Sequence, residues 1–171
     1  MLDLETMGNN SESAIVAIGA VCFDRKSGLG NEFYAEISLE SSINAGLKID
    51  ASTVLWWLNQ SEKARNIFID NEHADHLVNA LHDFEDFLKK NKVNEVWGNG
   101  AMFDNTILGN AYKLLGMDIP WKFWNDRCYR TIKNMYPLIE LNRVGVHHHA
   151  LDDAKTQALH LIEILNHIEG K

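Results

Sequence analysis

The chain has 171 residues, of which 16 are basic and 24 acidic, so its formal net charge is −8. Hydrophobic residues make up 46% and charged residues 23%, which excludes a disordered, collagen-like or coiled-coil protein. The length predicts a single domain over residues 1–171, and the lack of a long apolar run or apolar leader predicts a cytoplasmic protein with no membrane contact.

Three strands are predicted in the first part of the chain. Leu2 and Leu4 alternate with Asp3 and Glu5, and Ala14–Phe23 is rich in β-branched and apolar residues. Because Glu32–Ser38 also alternates and the connections are short, the three segments predict an antiparallel meander.

Helices dominate the rest of the chain. Apolar residues at three- and four-residue spacing predict helices over Asp50–Asn59, Ser61–Ile69, His73–Lys90, Phe103–Leu115, Tyr129–Tyr136 and Ala150–Ile168. A short buried strand is predicted at Glu95–Gly98. Strands followed by interleaved helices and strands predict an α/β or α+β domain.

The acidic balance argues against a broad basic surface for nucleic acid, but it is compatible with an enzyme that meets phosphate through bound metal ions. Cys22 and Cys128 are too few and too far apart for a disulfide framework or a zinc knuckle. They predict reduced thiols.

Two acidic residues on the first strand form the first candidate feature. Asp3 and Glu5 are two residues apart, so both side chains leave the same face of the strand. Two neighbouring carboxylates repel each other unless a positive charge lies between them. A solvated edge strand is the alternative interpretation.

Two further segments carry polar residues near helix starts. Asp104 follows Asn99 and Phe103 at the start of a helix, where a capping role is the alternative to a functional one. His148 and Asp153 lie in the segment HHHALDD, where a helix N-terminus keeps a histidine neutral. A solvent-exposed loop is one alternative there, and a zinc site made by His147 and His149 is another, although spacing suggests no third ligand.

Taken together, these segments predict a nuclease site. Four carboxylates converging on a small volume would bind two Mg²⁺ or Mn²⁺ ions, because hard cations prefer oxygen ligands. Such a pair of ions stabilises the attacking and leaving oxygens of a phosphoryl displacement. A neutral histidine beside them can accept the proton of the attacking water.

In their order and spacing, these residues resemble the three motifs of the DEDDh 3′→5′ exonucleases. The motifs are Asp3-x-Glu5, Asn99-x-x-x-Phe103-Asp104 and His148-x-Ala150-x-x-Asp153, and the resemblance runs from residue 3 to about residue 158. The segments DLETMG, VLWWLNQS, VWGNGAMFDN, PWKFWNDRCYRT and HHALDDAKTQA look like the small phage and prophage exonucleases described as exodeoxyribonuclease VIII-like. That branch is also similar to a mycobacterial-type exoribonuclease.

The resemblance implies a fold and a role for each matching residue. The fold is ribonuclease H-like, a mixed five-stranded sheet with its first three strands antiparallel and helices flanking it. The metal ligands implied are Asp3, Glu5, Asp104 and Asp153, with His148 as the general base. The implied activity is two-metal-ion-dependent hydrolysis of single-stranded DNA or RNA from the 3′ end, which releases nucleoside 5′-monophosphates.

Several other residues are candidates for substrate binding. The resemblance places Thr6 and Met7 in the pocket of the 3′-terminal nucleotide. Bases are expected to stack on Phe103. One of Trp56 and Trp57 is expected to pack inward and the other to face the cleft, and Trp57 is predicted to be the one that binds substrate. A hydrogen bond to the terminal sugar or phosphate is expected from Asn99, with a turn or capping role as the alternative. The candidate phosphate contacts are Arg127, Arg130 and Lys155, with ordinary surface charge as the alternative.

One departure from the family pattern lies at the start of the chain. Family members usually have several residues before the D-x-E strand, whereas this chain has two. A short first strand is therefore predicted, with a charged amino terminus close to the metal site. A non-catalytic binding module on the same fold and a phosphohydrolase of short oligonucleotides remain as alternatives. A homodimer formed through the final helix and its aromatic neighbours is also predicted.

Overall fold

A computed structural model describes residues 1–69 and 73–170. Five strands form one mixed sheet in the order β3-β2-β1-β4-β5. The strands are β1 (Leu2–Thr6), β2 (Ile15–Asp24), β3 (Gly28–Glu36), β4 (Val96–Gly98) and β5 (Asp126–Cys128). The first three strands are antiparallel, whereas β1 pairs with β4, and β4 with β5, in parallel. The predicted meander and the implied five-stranded sheet are confirmed.

Seven α-helices are found among the described residues. They are α1 (Leu39–Asn44), α2 (Ala51–Leu58), α3 (Glu62–Arg65), α4 (Leu77–Lys90), α5 (Asp104–Leu114), α6 (Tyr129–Met135) and α7 (Ala150–Glu169). Single 3₁₀ turns follow α3 at Asn66–Phe68 and precede β5 at Phe123–Asn125.

The differences from the predicted elements have local causes. The strand β5 was not predicted because it has three residues, Asp126–Cys128, with no apolar alternation. The helix predicted from His73 begins at Leu77, since Asp75 pairs with Ile37 in an isolated parallel bridge. The short helix α1 was missed because half of its six residues are serine or asparagine, which are weak helix formers.

Helices cover both faces of the sheet, so each face of β1 packs against a different set of helices. Leu2 and Leu4 pack into the main core with α4 and α5 residues such as Phe84 and Leu108. On the other face, the predicted apolar stripe of α7 is buried at Ala154, Ala158 and Leu161. Asp3 and Glu5 therefore project towards α7.

A close contact between β2 and the start of α7 holds that helix over the acidic face. Gly19 pairs with Asp3 across the sheet, and a Cβ atom at Gly19 would lie 2.2 Å from the backbone carbon of Ala150. Only a residue without a side chain allows this approach.

Substitution Gly19→Ala is expected to destabilise the fold by about 2 kcal/mol, because α7 must move away from the sheet to admit the methyl group. The unfolding midpoint in urea measures this loss. Gly30→Ala is the matched control, since a Cβ atom there makes ordinary contacts of 3.5 Å with Cys22. Equal stabilities of the two variants would contradict the expected contact.

The sequence also makes predictions about the two cysteines, the amino terminus and the membrane. Cys22 and Cys128 are free thiols, as predicted. The amine of Met1 donates a hydrogen bond of 2.7 Å to the Val21 carbonyl, and Met1 lines a second cavity with Cys22. Its expected position close to the metal site stays a prediction. Among the described helices, none is both long and apolar enough to cross a membrane.

Candidate active site

Four carboxylates from three elements meet at the centre of the sheet. The carboxylate oxygens of Asp3, Glu5 and Asp153 include atoms that all lie within 4.8 Å of one another. Asp104 joins them from α5, where its Oδ1 accepts a hydrogen bond of 3.2 Å from the Leu4 backbone N–H. The structure thus brings the four predicted acids together.

Asp104 reaches this cluster because α5 starts immediately beyond the end of β4. A Cβ atom at Gly98 would lie 2.4 Å from Asn105 Oδ1 and 3.0 Å from Asp104 Oδ2, so glycine permits the approach. Phe103 occupies the N-cap position of α5 and Asp104 is the first helical residue. The alternative of Asp104 as the N-cap is therefore wrong.

His148 lies beside the carboxylates in a strained backbone conformation. Its φ is +63°, in the left-handed region that non-glycine residues rarely adopt. This conformation directs its backbone N–H to Asp153 Oδ2, at 2.9 Å. Its ring packs edge-on against Trp56, with centroids 4.8 Å apart, and stacks on His147 at 3.7 Å.

The other two histidines of the triplet have different surroundings. His149 is the N-cap of α7, where its ring accepts from the Asp152 backbone N–H, and it stacks on Tyr34 with centroids 4.5 Å apart. His147 can share a cation with His148 and Asp153. The pairing of His147 with His149 in a zinc site is not among the groupings that the described residues form.

Two residues that the sequence did not single out contact the carboxylates. Gln157 donates a hydrogen bond of 2.7 Å from Nε2 to Asp3 Oδ1. Arg143 forms an ion pair with Asp153 through Nη1 and Oδ1. The spacing of four residues between Asp153 and Gln157 could have indicated a shared face of α7, whereas nothing local marked Arg143.

Burial raises the pKa of Asp3, Glu5 and Asp104, and repulsion between carboxylates adds to this effect for Asp3 and Glu5. Burial, followed by the charge of Asp104, raises the pKa of Asp3 well above its ordinary value. Burial, followed by the charge of Asp153, raises the pKa of Glu5 to about 8. The pKa of Asp104 is raised to about 7 by burial, although hydrogen bonds from backbone N–H groups oppose this change.

The pKa of His148 is lowered, whereas the pKa values of these three acids are raised. Burial, followed by the neighbouring His147, lowers its pKa, and the charge of Asp153 opposes this only in part. The imidazole is consequently neutral at pH 7, as a proton acceptor must be.

Without divalent ions, stability is expected to fall as the pH rises from about 4 to 8. In this window the folded chain keeps protons on Glu5 and Asp104 that the unfolded chain, with ordinary pKa values of 4.5 and 3.8, has released. The lowered pKa of His148 makes stability rise with pH, but this one group opposes the larger combined effect of two acids. Urea unfolding in EDTA at several pH values measures the slope, and a rise in stability across this window would contradict the expectation.

The donor set fits divalent cations. All four carboxylates offer oxygen, and the buried Asp104 Oδ2 has no hydrogen-bond partner among the described residues. Neighbouring carboxylates raise the pKa of Asp3 and of Glu5, so a positive charge bound at the cluster would stabilise their ionised forms. Hard ions such as Mg²⁺ or Mn²⁺ match such a set.

A cavity of about 640 Å³ opens over the carboxylates of Asp3, Glu5 and Asp153. Of the residues predicted to bind substrate, its wall contains Thr6, Trp57, Asn99 and Phe103. Asn99 also has a buried Oδ1 without a hydrogen-bond partner in the described part of the chain. Met7 belongs instead to the main core and is only 6% exposed, so its predicted place at the substrate pocket is wrong for its side chain.

The two tryptophans of α2 divide between core and cleft, as predicted. Trp57 is 3% exposed and donates from Nε1 to the Thr6 carbonyl at 3.0 Å, whereas Trp56 is 43% exposed. The accessible ring at the cavity is therefore that of Trp56, and the selection of Trp57 as the stacking residue is corrected on this ground.

Basic side chains line one side of the cavity. Arg130, Lys133 and Arg143 belong to this wall, and Arg130 donates to the Asn99 carbonyl at 2.7 Å. The other predicted phosphate contacts are engaged by acids, Arg127 by Glu95 at 2.6 Å and Lys155 by Glu32 at 2.8 Å.

Comparison with known proteins shows the family to which the chain belongs. Residues 1–165 match the family described as the 3′-5′ exoribonuclease Rv2179c-like domain. An exodeoxyribonuclease of Enterobacteria phage T4 is 26% identical over 155 aligned residues, which cover 77% of this chain and 68% of the phage protein.

Solved structures share the fold. The nuclease domain of 3′hExo, a DEDDh family member bound to rAMP, superposes with a TM-score of 0.64 at 15% identity, covering 97% of this chain and 90% of that one. A full-length 3′-exonuclease gives a TM-score of 0.56 at 13% identity, with coverage of 97% and 80%. Cell-death related nuclease 4 gives 0.55 at 15% identity, with coverage of 97% and 62%.

Fold, motif order and relatives together define an enzyme, a 3′→5′ exonuclease of the DEDDh class. The chain belongs to the 3′-5′ exoribonuclease Rv2179c-like family, whose model spans nearly all of it.

Proposed function

We propose that this exonuclease, a single domain over residues 1–171, uses two Mg²⁺ or Mn²⁺ ions to hydrolyse single-stranded DNA or RNA from the 3′ end. The products are nucleoside 5′-monophosphates. The observation that carries the proposal is the set of carboxylate oxygens of Asp3, Glu5 and Asp153 within 4.8 Å, beside the unpartnered Oδ2 of Asp104. The adjoining cavity offers an exposed aromatic ring and basic side chains to a nucleotide.

Each side chain then has a defined task. Asp3, Glu5, Asp104 and Asp153 hold the cations, which when bound supply positive charge to the attacking and leaving oxygens. His148 accepts the proton of the attacking water, because burial keeps its imidazole neutral. Gln157 orients Asp3 through its hydrogen bond of 2.7 Å.

The remaining cavity residues bind the nucleotide. Trp56 offers the exposed ring for a base, and Phe103 lines the same cavity. Asn99 supplies a free side-chain acceptor for a sugar hydroxyl, and Thr6 lies at the cavity wall. Arg130 and Lys133 provide positive charge for phosphates along the strand.

Trp56→Ala is expected to raise the KM for a single-stranded oligonucleotide about tenfold, since stacking on one base contributes about 1–3 kcal/mol. Steady-state kinetics with an oligonucleotide of fixed length measures the change. Leu55→Ala is the matched control, because Leu55 is 63% exposed on the same helix and is not part of the cavity wall in the described structure. A KM equal to that of this control would contradict a stacking role.

The proposal is tested with 5′-labelled single-stranded DNA and RNA of one sequence, in Mg²⁺, Mn²⁺ or EDTA. A ladder that shortens from the 3′ end only with a divalent ion supports it, and the faster substrate identifies the preferred sugar. Faster cleavage of a dinucleotide than of a longer strand would favour the alternative of a phosphohydrolase of short oligonucleotides. Turnover in EDTA would overturn the role of the metal ions.

The predicted homodimer is a separate proposal. Phe123 and Trp124 are 79% and 62% exposed beside β5, the edge strand of the sheet. Light scattering at known concentration tests the predicted association.

A further inference from the structure

Asp153 has both of its carboxylate oxygens engaged. Oδ1 forms an ion pair with Arg143 Nη1, and Oδ2 accepts from the His148 backbone N–H at 2.9 Å. Asp153 also belongs, with Asp3 and Glu5, to the group of carboxylates that can hold a cation. Arg143 is therefore a positive charge already placed against a carboxylate that a metal ion needs.

The backbone next to Arg143 is fixed, whereas the Arg143 side chain is partly exposed and can change partners. The neighbouring Val144 is fixed to α7, because its N–H donates to Thr156 Oγ1 at 3.0 Å and its carbonyl accepts from the same hydroxyl at 3.2 Å. The Arg143 side chain itself is 39% exposed and lines the cavity. The backbone is anchored while the guanidinium faces the space where substrate would lie.

A guanidinium and a metal ion compete when both bind the same carboxylate oxygen. A divalent ion that uses Asp153 Oδ1 must displace the guanidinium, so the ion pair lowers the affinity for metal. Once displaced, the guanidinium keeps its charge and faces the cavity in which the proposed function places the phosphates of the substrate. Guanidinium groups bind phosphate through paired N–H donors.

We infer that Arg143 exchanges partners during the catalytic cycle: it neutralises Asp153 in the metal-free enzyme and binds the substrate phosphate once divalent ions occupy the carboxylates. This inference rests on the proposed metal-dependent function. It makes Arg143 a competitor of the metal and a ligand of the phosphate, whereas Lys133, over the Tyr129 ring at 5.9 Å, serves the phosphate alone.

The test is a titration of the full chain with Mn²⁺, followed by calorimetry or by the electron paramagnetic resonance of the free ion. Arg143→Gln is expected to bind Mn²⁺ about three- to tenfold more tightly than the unmodified chain, because the competing ion pair is gone. With Mn²⁺ saturating, its affinity for a nucleoside 5′-monophosphate is expected to fall about tenfold. Thermal unfolding establishes that the variant is folded.

Two matched variants separate the competing interpretations. Lys133→Gln is expected to weaken nucleotide binding and to leave Mn²⁺ affinity within about twofold, since Lys133 holds no carboxylate in the described structure. Arg127→Gln, whose partner Glu95 lies outside the cavity, is expected to change neither affinity.

Unchanged or weaker Mn²⁺ binding by Arg143→Gln, in a chain that binds Mn²⁺ and degrades oligonucleotides, would overturn the exchange of partners and leave the proposed function intact. Absence of Mn²⁺ binding in the unmodified chain would overturn both.

Discussion

Asp104→Asn is expected to lower exonuclease turnover by at least about a thousandfold, yet to make the metal-free chain more stable. Turnover falls because the buried Oδ2, which has no hydrogen-bond partner in the described structure, is lost as an anionic ligand. Stability rises because one of four mutually repelling carboxylates disappears, and burial has raised the pKa of this one to about 7. The stabilisation expected above pH 7 is about 2 kcal/mol.

These opposite effects distinguish a metal site from a structural carboxylate. Urea unfolding in EDTA and turnover with Mg²⁺ are measured on the same preparation, and Mg²⁺ is expected to stabilise the unmodified chain more than the variant. Asp118→Asn, at an exposed position, is the control that is expected to change neither quantity. A variant that is both active and less stable would show that Asp104 serves the fold and not the metal site.

His148→Ala is expected to lower turnover by about a hundredfold or more, with little change in metal affinity, because it removes the proton acceptor and leaves the carboxylates in place. With saturating Mg²⁺, which keeps the carboxylates ionised, the acidic limb of the pH–rate profile is expected at a pH below the ordinary histidine pKa of about 6.5, because burial lowers the pKa of His148. This limb is expected to vanish in the variant.

The neighbouring histidines identify which member of the triplet acts. His149→Ala is expected to cost stability through loss of the α7 cap, but to keep most of the activity. His147→Ala is expected to raise the pKa of His148, since the charge of His147 is one cause of its lowering. A larger loss of turnover in His147→Ala than in His148→Ala would assign the proton acceptor to His147.

The sequence by itself determined the elements that carry the site. Alternation placed Asp3 and Glu5 on the face of β1 opposite Leu2 and Leu4, because the side chains of a strand alternate strictly. The apolar stripe of α7 was readable because helical periodicity over a long segment is a strong signal. The order of the three motifs indicated the nuclease class before any contact was known.

Contacts between residues distant in the sequence were decided only by the tertiary structure. Gln157 reaches Asp3 across 154 residues of chain, and no local pattern encodes such a meeting. The choice between Trp56 and Trp57 depended on how α2 turns one ring into the core, and the exclusion of Met7 depended on the same packing. Arg143 could not be singled out because a lone basic residue in a loop has no periodicity, and its meaning arises from the carboxylate that the fold brings to it.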